Sequence, residues 1–414
     1  MPLLSQPLIT PDAQSVSSSV LQDTTSLHAA SSALSAWLRE KALPFWIRRG
    51  YCTSEKRFIE GLCEEDLPQP VNLNRARIQP RQIYAFTSSL LRGCPHTSPE
   101  MITNSYVWFI TRYRLPDGTF GNLVDAQGVL VDPTFDIYNQ AFAILMFAQM
   151  AQFQPQKQAL FESEAAALLA VIQKKYSNEN GGYNSGPAAQ GFLESNPHMH
   201  LFEAALAWEA VAENKAVWRA LADEIGILAL QRMIDPESKA LGEFFNPDWS
   251  PAFGAGREVI EPGHQFEWAW LLTRWSKRCE LPQAKKAARD LFDFGRTHGI
   301  TDQGLIVMSL NRDTSFLDPT ARMWPQLEWL KAATILALDP TISSQYDFVA
   351  EVSLALKAVS AFWAEKGNGS WVDRIDLAGQ VCDGKAPAST FYHIICAIYE
   401  LEDSLNQLLK FDGV

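Results

Sequence analysis

The sequence predicts an all-α fold, an (α/α)6 barrel of six helical hairpins with short β-hairpins in the loops at one mouth. Three observations carry this. Apolar residues recur at spacings of three and four along almost the whole chain, as in Phe266, Trp270 and Leu271, the mark of helices that each bury a stripe. Prolines stand at or just before every second helix, at Pro80, Pro133, Pro197, Pro262, Pro319 and Pro387, separated by 53, 64, 65, 57 and 68 residues. The last helix is apolar (Phe391, Ile394, Ile395, Ile398) rather than a polar cap, so a six-fold array closes on itself instead of ending as an open superhelix.

In chain order the periodicity predicts helices over 23–48, 80–92, 98–113, 134–152, 157–176, 198–213, 215–233, 262–278, 283–297, 319–338, 344–364 and 388–407. Residues 1–22, rich in Ser and Thr, read as a flexible segment, and 23–414 as a single barrel domain. Gly-containing turns such as Asp117-Gly118 and Gly181-Gly182 separate the helices, and Gly304–Leu310 reads as a short β-like run. Proline suits the first helical position because its missing N–H breaks no bond there. Asp132, Asn196 and Asp318 precede three of these prolines and are expected to be N-caps. The even-numbered helices, with polar starts, are expected inside, their N-termini around one mouth. Six helix ends would then turn unpaired N–H groups and partial positive charge towards one cavity, suiting a hydroxyl-rich ligand that carries negative charge only transiently.

The 414 residues are 47% hydrophobic and 20% charged, with a formal net charge of −12. That sign argues against nucleic acid or an anionic membrane as partner and leaves a small molecule as the expected ligand. Six cysteines form no CxxC or other ligand-like spacing, so a zinc or redox site is not expected. No basic apolar leader and no membrane-length apolar run is visible, which points to the cytoplasm. There is no P-loop, no GxGxxG after a strand and no GxSxG elbow, so neither a nucleotide cofactor nor serine hydrolysis is expected. These features leave a homodimer open.

Polar side chains crowd the first turns of the even helices: Arg81, Asn139 with Gln140, His200, His264 with Glu267, Arg322 and His393. One histidine near a helix start is usually structural, but three of seven in matching positions of three repeats argue for proton chemistry. His28, His96 and His298 fall on outer helices or loops, and His198 could point either way. His264 and Glu267 share a helix face, as do His200 and Glu203. No HExxH pattern accompanies them, so no metal site is expected, and the glutamates read as orienting partners. Of 13 tryptophans most belong to the core; Trp249 and Trp324 are the candidates to stack on a sugar ring.

Four segments carry a family resemblance: Asn196-Pro-His-Met-His-Leu-Phe-Glu203, Glu261-Pro-Gly-His-Gln-Phe-Glu-Trp268, Arg322-Met-Trp-Pro-Gln-Leu-Glu328 and Phe391-Tyr-His393. From about Trp46 to the C-terminus the chain resembles the N-acylglucosamine 2-epimerase superfamily. The resemblance implies an (α/α)6 barrel, metal-free chemistry, and an active site holding Arg81, His200, Glu267, His264 and His393, with His264 and His393 as the acid/base pair. Tyr138-Asn-Gln-Ala-Phe142 departs from relatives that carry Asp-His where this chain has Asn139-Gln140. The stretch with Phe266 and Trp268 is most similar to the mannose-isomerase branch.

The implied reaction is aldose–ketose isomerisation of the mannose/fructose type. A histidine removes the C2 proton of the open-chain sugar to give a cis-enediolate and returns it to C1; an unperturbed pKa of ~6.5 suits both steps. On this reading His393 handles the carbon proton and His264 serves ring opening and the oxygens. Glu267 holds His264, Arg81 stabilises the oxyanion, and His200, Asn139, Gln140, Glu203, Trp249, Arg322, Trp324 and Glu328 contact the sugar. Arg75, Arg77 and Arg257 could hold an anionic tail. Three rivals remain: a 2-epimerase of N-acylglucosamine or related sugars, a glycoside hydrolase on the same toroid using carboxylates among Glu203, Glu267 and Glu328, and a non-catalytic carbohydrate-binding protein.

Overall fold

The computed structural model describes residues 27–70, 72–254, 256–339, 341, 344–363 and 366–411. The 1–22 segment lies outside the described residues. Twelve long helices are present among those described: α1 (27–49, with a π-turn at Leu38–Ala42), α2 (Ile78–Leu91), α3 (Pro99–Tyr113), α4 (Ile137–Phe153), α5 (Gln158–Tyr176), α6 (Ser195–Val211), α7 (Lys215–Leu228), α8 (Pro262–Cys279), α9 (Pro282–His298), α10 (Met323–Ala337), α11 (Phe348–Ser360) and α12 (Ala388–Phe411). They occupy the predicted positions to within a few residues.

The even helices form the inner ring. Each packs on the next, α2 on α4, α4 on α6, α6 on α8, α8 on α10 and α10 on α12, and α12 returns to α2 to close it. Their sequences show why: in α4 nearly every residue from Ile137 to Ala151 is buried, so the helix is apolar all round and must be covered on all sides. The odd helices lie outside. In α9 one side is buried, Ala284, Ala288, Leu291, Phe292, Phe294 and Gly295, and the other face meets water. The first hairpin is completed by the end of the chain, where Trp46 of α1 stacks on Phe391 of α12 at 5.6 Å.

Short antiparallel strands build the lip around the inner N-termini. One sheet joins β1 (Leu73–Arg75), β2 (Leu123–Asp125) and β3 (Leu130–Asp132). Another has five strands in the order β8-β7-β6-β5-β4, from β4 (Val259–Ile260), β5 (Val307–Asn311), β6 (Phe316–Arg322), β7 (Arg374–Ile375) and β8 (Val381–Asp383). The predicted run at Gly304–Leu310 is thus largely β5.

Three expected helix starts are corrected. Pro319 lies inside β6, not at the head of a helix, and α10 begins at Met323. Asp132 and Asp318 are not N-caps; their carboxylates accept from the N–H of Thr134 and Thr320, tightening turns two residues on. Asp136 caps α4 instead, accepting from the Tyr138 N–H at 2.9 Å, and Asn196 falls within α6. Proline and Asp are turn formers as well as helix starters, and before α4 and α10 they serve first as such.

Candidate active site

A repeat hidden in the sequence emerges at the strand-to-helix junctions. Four residues beyond Arg75, Asp136, Glu261 and Arg322 stands a glutamine: Gln79, Gln140, Gln265 and Gln326. Each is buried, takes the N–H of one residue in the preceding loop, and donates back to the C=O of that same residue: Phe58, Phe120, Leu241 and Ile306. In α6 the place belongs to His198, whose Nε2 accepts from the Tyr183 N–H at 3.0 Å while Nδ1 meets the Glu194 carbonyl. Two backbone groups that burial would leave unpaired are satisfied by one side chain, which pins the lip to the barrel.

That assignment corrects Gln140, expected to bind substrate; it is a structural clamp. Asn139 donates to Asn122 Oδ1 at 3.1 Å and does not line the cavity. Trp249 is buried below the lip, its Nε1–H given to the Gly181 carbonyl, and it too is away from the cavity.

Two residues beyond each of these five positions, and two beyond Phe391 in α12, the inner helices contribute a ring: Arg81, Phe142, His200, Glu267, Glu328 and His393. The guanidinium of Arg81 lies over Phe142 at 4.2 Å, Phe142 meets His200 at 4.4 Å, and His200 Nδ1 is 4.0 Å from Glu267. Glu267, Glu328 and His393 bring ligand-type atoms within 4.8 Å of one another. Above this ring opens a cavity of about 220 Å³, lined by residues of all six inner helices, including Arg77, Arg81, Tyr138, Asn196, His200, His264, Glu267, Trp324, Thr390 and His393, with Met308 of β5 at the side. The predicted gathering of inner N-termini at one mouth is therefore observed.

His264 and His393 flank Trp324, with ring centroids 5.1 and 5.7 Å from it. Each has its Nδ1 on a carboxylate, which leaves Nε2 for the cavity. His264 Nδ1 is 3.0 Å from Glu243 and 3.6 Å from Glu261; His393 Nδ1 is 2.7 Å from Glu328. Their charge states diverge. Burial disfavours the imidazolium of His264, but Glu243 and Glu261 outweigh it and hold the pKa at about 10. His393 is pushed well below 6.5 by burial and by the positive charges of Arg81 and Lys331. At neutral pH one ring is an acid and the other a base.

The carboxylates differ from expectation. Glu267 does not hold His264; it lies beside His200, and burial with Glu328 nearby raises its pKa to about 7. Glu203 and Glu328 sit behind the lining, not on it. Glu203 accepts from the Tyr392 hydroxyl and lies 3.3 Å from His200 Nδ1; against its burial, His200 and Lys331 keep it a carboxylate. Arg322 lines the cavity but is gripped at 3.0 Å twice by Asp373. Arg75 is likewise committed to Glu60, and Arg257 lies over Phe192 away from the cavity. His96 is exposed and His28 and His298 are half-buried, all remote from the cavity. Sequence reasoning missed Glu243, Tyr138, Tyr392 and Lys331. Tyr138, Tyr392 and Glu261 lie within the motif segments, Glu261 three residues from His264 on the same face, but nothing local marks Glu243.

Two groups, His200–Glu203–Glu267 and Glu267–Glu328–His393, have the atoms to hold a cation. In the second, the Lys331 ammonium already stands 2.7 Å from Glu328.

A closed ring of helical hairpins with two carboxylate-held histidines on one cavity suits an enzyme that moves protons on a sugar. The family model described as N-acylglucosamine 2-epimerase matches residues 59–397, and the chain belongs to that family. It is 40% identical to the mannose-6-phosphate isomerase of Rhizobium meliloti, covering 92% of this chain and 99% of that protein. It is 26% identical to the D-mannose isomerase of Marinomonas mediterranea over 71% and 78% of the two chains. A crystal structure of a D-mannose isomerase superposes with a TM-score of 0.79 at 20% identity, over 90% of this chain and 97% of the other, and shares the fold.

Proposed function

We propose that the chain interconverts an aldose and its ketose, of the mannose and fructose type, by carrying one proton through a cis-enediolate. The observation that bears most weight is geometric: His264 and His393 face one cavity, each with Nδ1 within 3.0 Å of a carboxylate. His393, neutral and with Nδ1 on Glu328, takes the C2 proton on Nε2 and returns it to C1. His264, cationic, donates from Nε2 to the ring oxygen on opening and then serves the oxygens of the enediolate. Arg81, whose guanidinium reaches the Tyr138 hydroxyl, faces the developing oxyanion together with the helix N-termini. His200 and Glu267 hydrogen-bond the sugar hydroxyls, and Trp324 packs on its apolar face. The two relatives named as mannose-type isomerases support this substrate class.

An inverting hydrolase is poorly served, because Glu203 and Glu328 are behind the wall and Glu267 and Glu328 are closer than the ~6.5–9.5 Å such enzymes use. One observation favours a phosphorylated sugar over a free one: Arg77, on the lip, is only 3.9 Å from Asp136 and over the Tyr138 ring, so it retains donors for an anionic group. Six free thiols suit the cytoplasm. Among the described residues no helix is long and apolar enough to cross a membrane.

The test is proton NMR of mannose and mannose 6-phosphate in D2O with enzyme. Ketose deuterated at one of its two C1 positions is expected. Early glucose-type product deuterated at C2, with little ketose, would establish an epimerase instead.

A further inference from the structure

Beneath the ring of six lies a second layer, three residues further along the inner helices, and it contains a buried lysine. Lys331 of α10 is wholly buried, its Nζ 2.7 Å from Glu328 Oε2 and 3.9 Å from the Trp270 ring centroid. Glu328 is wholly buried too, and its other oxygen is 2.7 Å from His393 Nδ1. The three groups form a line from the barrel interior to the cavity: ammonium, carboxylate, imidazole. Removing an ammonium and a carboxylate from water costs several kcal/mol each, so the fold keeps them at an expense that packing alone does not require.

We propose that Lys331 is a positioning residue for the carbon base: it keeps Glu328 ionised, which fixes the proton of His393 on Nδ1 and leaves Nε2 bare towards the substrate. This rests on the reading of His393 as the carbon base. The alternative state is explicit. A protonated Glu328 donates its O–H to Nδ1, the imidazole proton moves to Nε2, and the lone pair that should accept the C2 proton is gone. Burial already raises Glu328 to about 7 with the ammonium in place. The other charged and titratable groups around the pair are Glu267 and His264 from α8, Glu203 from α6, Arg81 from α2, and His393 and Cys396 from α12. Lys331 is the cation in direct contact with Glu328, and none of these groups replaces it there.

The experiment compares wild type, Lys331→Met, Glu328→Gln and the double variant by kcat and KM across pH 5.5–9.5, with 15N-imidazole NMR of histidine-labelled protein. In Lys331→Met the acid limb of kcat should move up by ~1–2 pH units, because an opposite charge at this range shifts a carboxyl by that order. Turnover should then fall about tenfold or more at pH 7 and return to within about threefold at pH 9.5, with KM little changed. Glu328→Gln should be slow at every pH, and the double variant no slower. A Lys331→Met profile parallel to wild type, or a uniform loss without a shift, overturns the proposal. If Lys331→Met does not fold, the wild-type spectrum decides: His393 must be bare at Nε2 above pH 8, and a protonated Nε2 there overturns it. An active His393→Asn variant would instead sink the reading of His393 itself.

Discussion

His393 and His298 make the sharpest contrast between two histidines. His393 lines the cavity with Nδ1 on Glu328; His298 ends an outer helix, half-buried against Phe294. His393→Asn should lower turnover by ~10²–10⁴ or more while the helical circular dichroism and melting temperature stay nearly unchanged, and His298→Asn should behave as wild type. Equal behaviour of the two would show that the proton passes elsewhere. The same residues set the pH profile. Glu328, about 7, must be ionised for His393 to accept, so kcat rises through pH 7; His264, held at about 10, must keep its proton, so kcat falls as pH approaches 10. Glu243→Gln removes the nearer carboxylate at 3.0 Å, and the alkaline limb should move to lower pH. A limb that stays put would assign it to another group.

At the scale of elements, the site depends on how closely α8 and α10 approach. Gly263 is the second residue of α8, and a Cβ there would run into the Trp324 ring of α10. Gly263→Ala should therefore displace Trp324 from between the two histidines, raising KM and lowering kcat with a modest loss of stability, since an alanine otherwise suits a helix. A crystal structure with Trp324 unmoved and normal kinetics would contradict this. The clamps are the other element-level device. Gln326→Leu leaves the Ile306 N–H and C=O buried without partners, costing ~2–5 kcal/mol in melting stability. Gln140→Leu should cost the same and leave sugar affinity unchanged, which separates a clamp from a ligand.

Across the whole molecule, the buried charges make stability and activity diverge with pH. Glu261, Glu267 and Glu328 are raised to about 7, so the stability they contribute is complete below their unfolded value of 4.5 and is lost as pH rises through 7. His264, raised from 6.5 to about 10, adds stability present below 6.5 and lost on the way to 10. Glu203, lowered to about 2, works oppositely: its share is present above 4.5 and lost as pH falls towards 2. Melting temperature should peak near pH 4–5 and decline through the range where turnover climbs; a peak at pH 8 or above would refute these assignments. The central cation belongs to this scale as well. With the Lys331 ammonium against Glu328, turnover should survive exhaustive chelation, and a loss restored by one particular divalent ion would place a metal among Glu267, Glu328 and His393.

The sequence by itself determined the twelve helices, their alternation into inner and outer rings, and the mouth at which His200, His264 and His393 meet. Those properties follow from local periodicity and from which faces must be covered, and both are written along the chain. It could not assign partners. Gln140 looks like a polar first-turn residue fit for a ligand, yet it is spent on the backbone of the loop before its helix. Glu267 shares a helix face with His264, yet the carboxylate that charges His264 is Glu243, some twenty residues upstream on the lip. Lys331 reads as one polar residue in an apolar helix and becomes the cation at the centre of the barrel. Only ring closure brings six helices to one axis, where a group's pKa is set by neighbours from other repeats and by exclusion of water. The acid and base roles proposed for His264 and His393 therefore rest on the tertiary structure, not on the sequence around either residue.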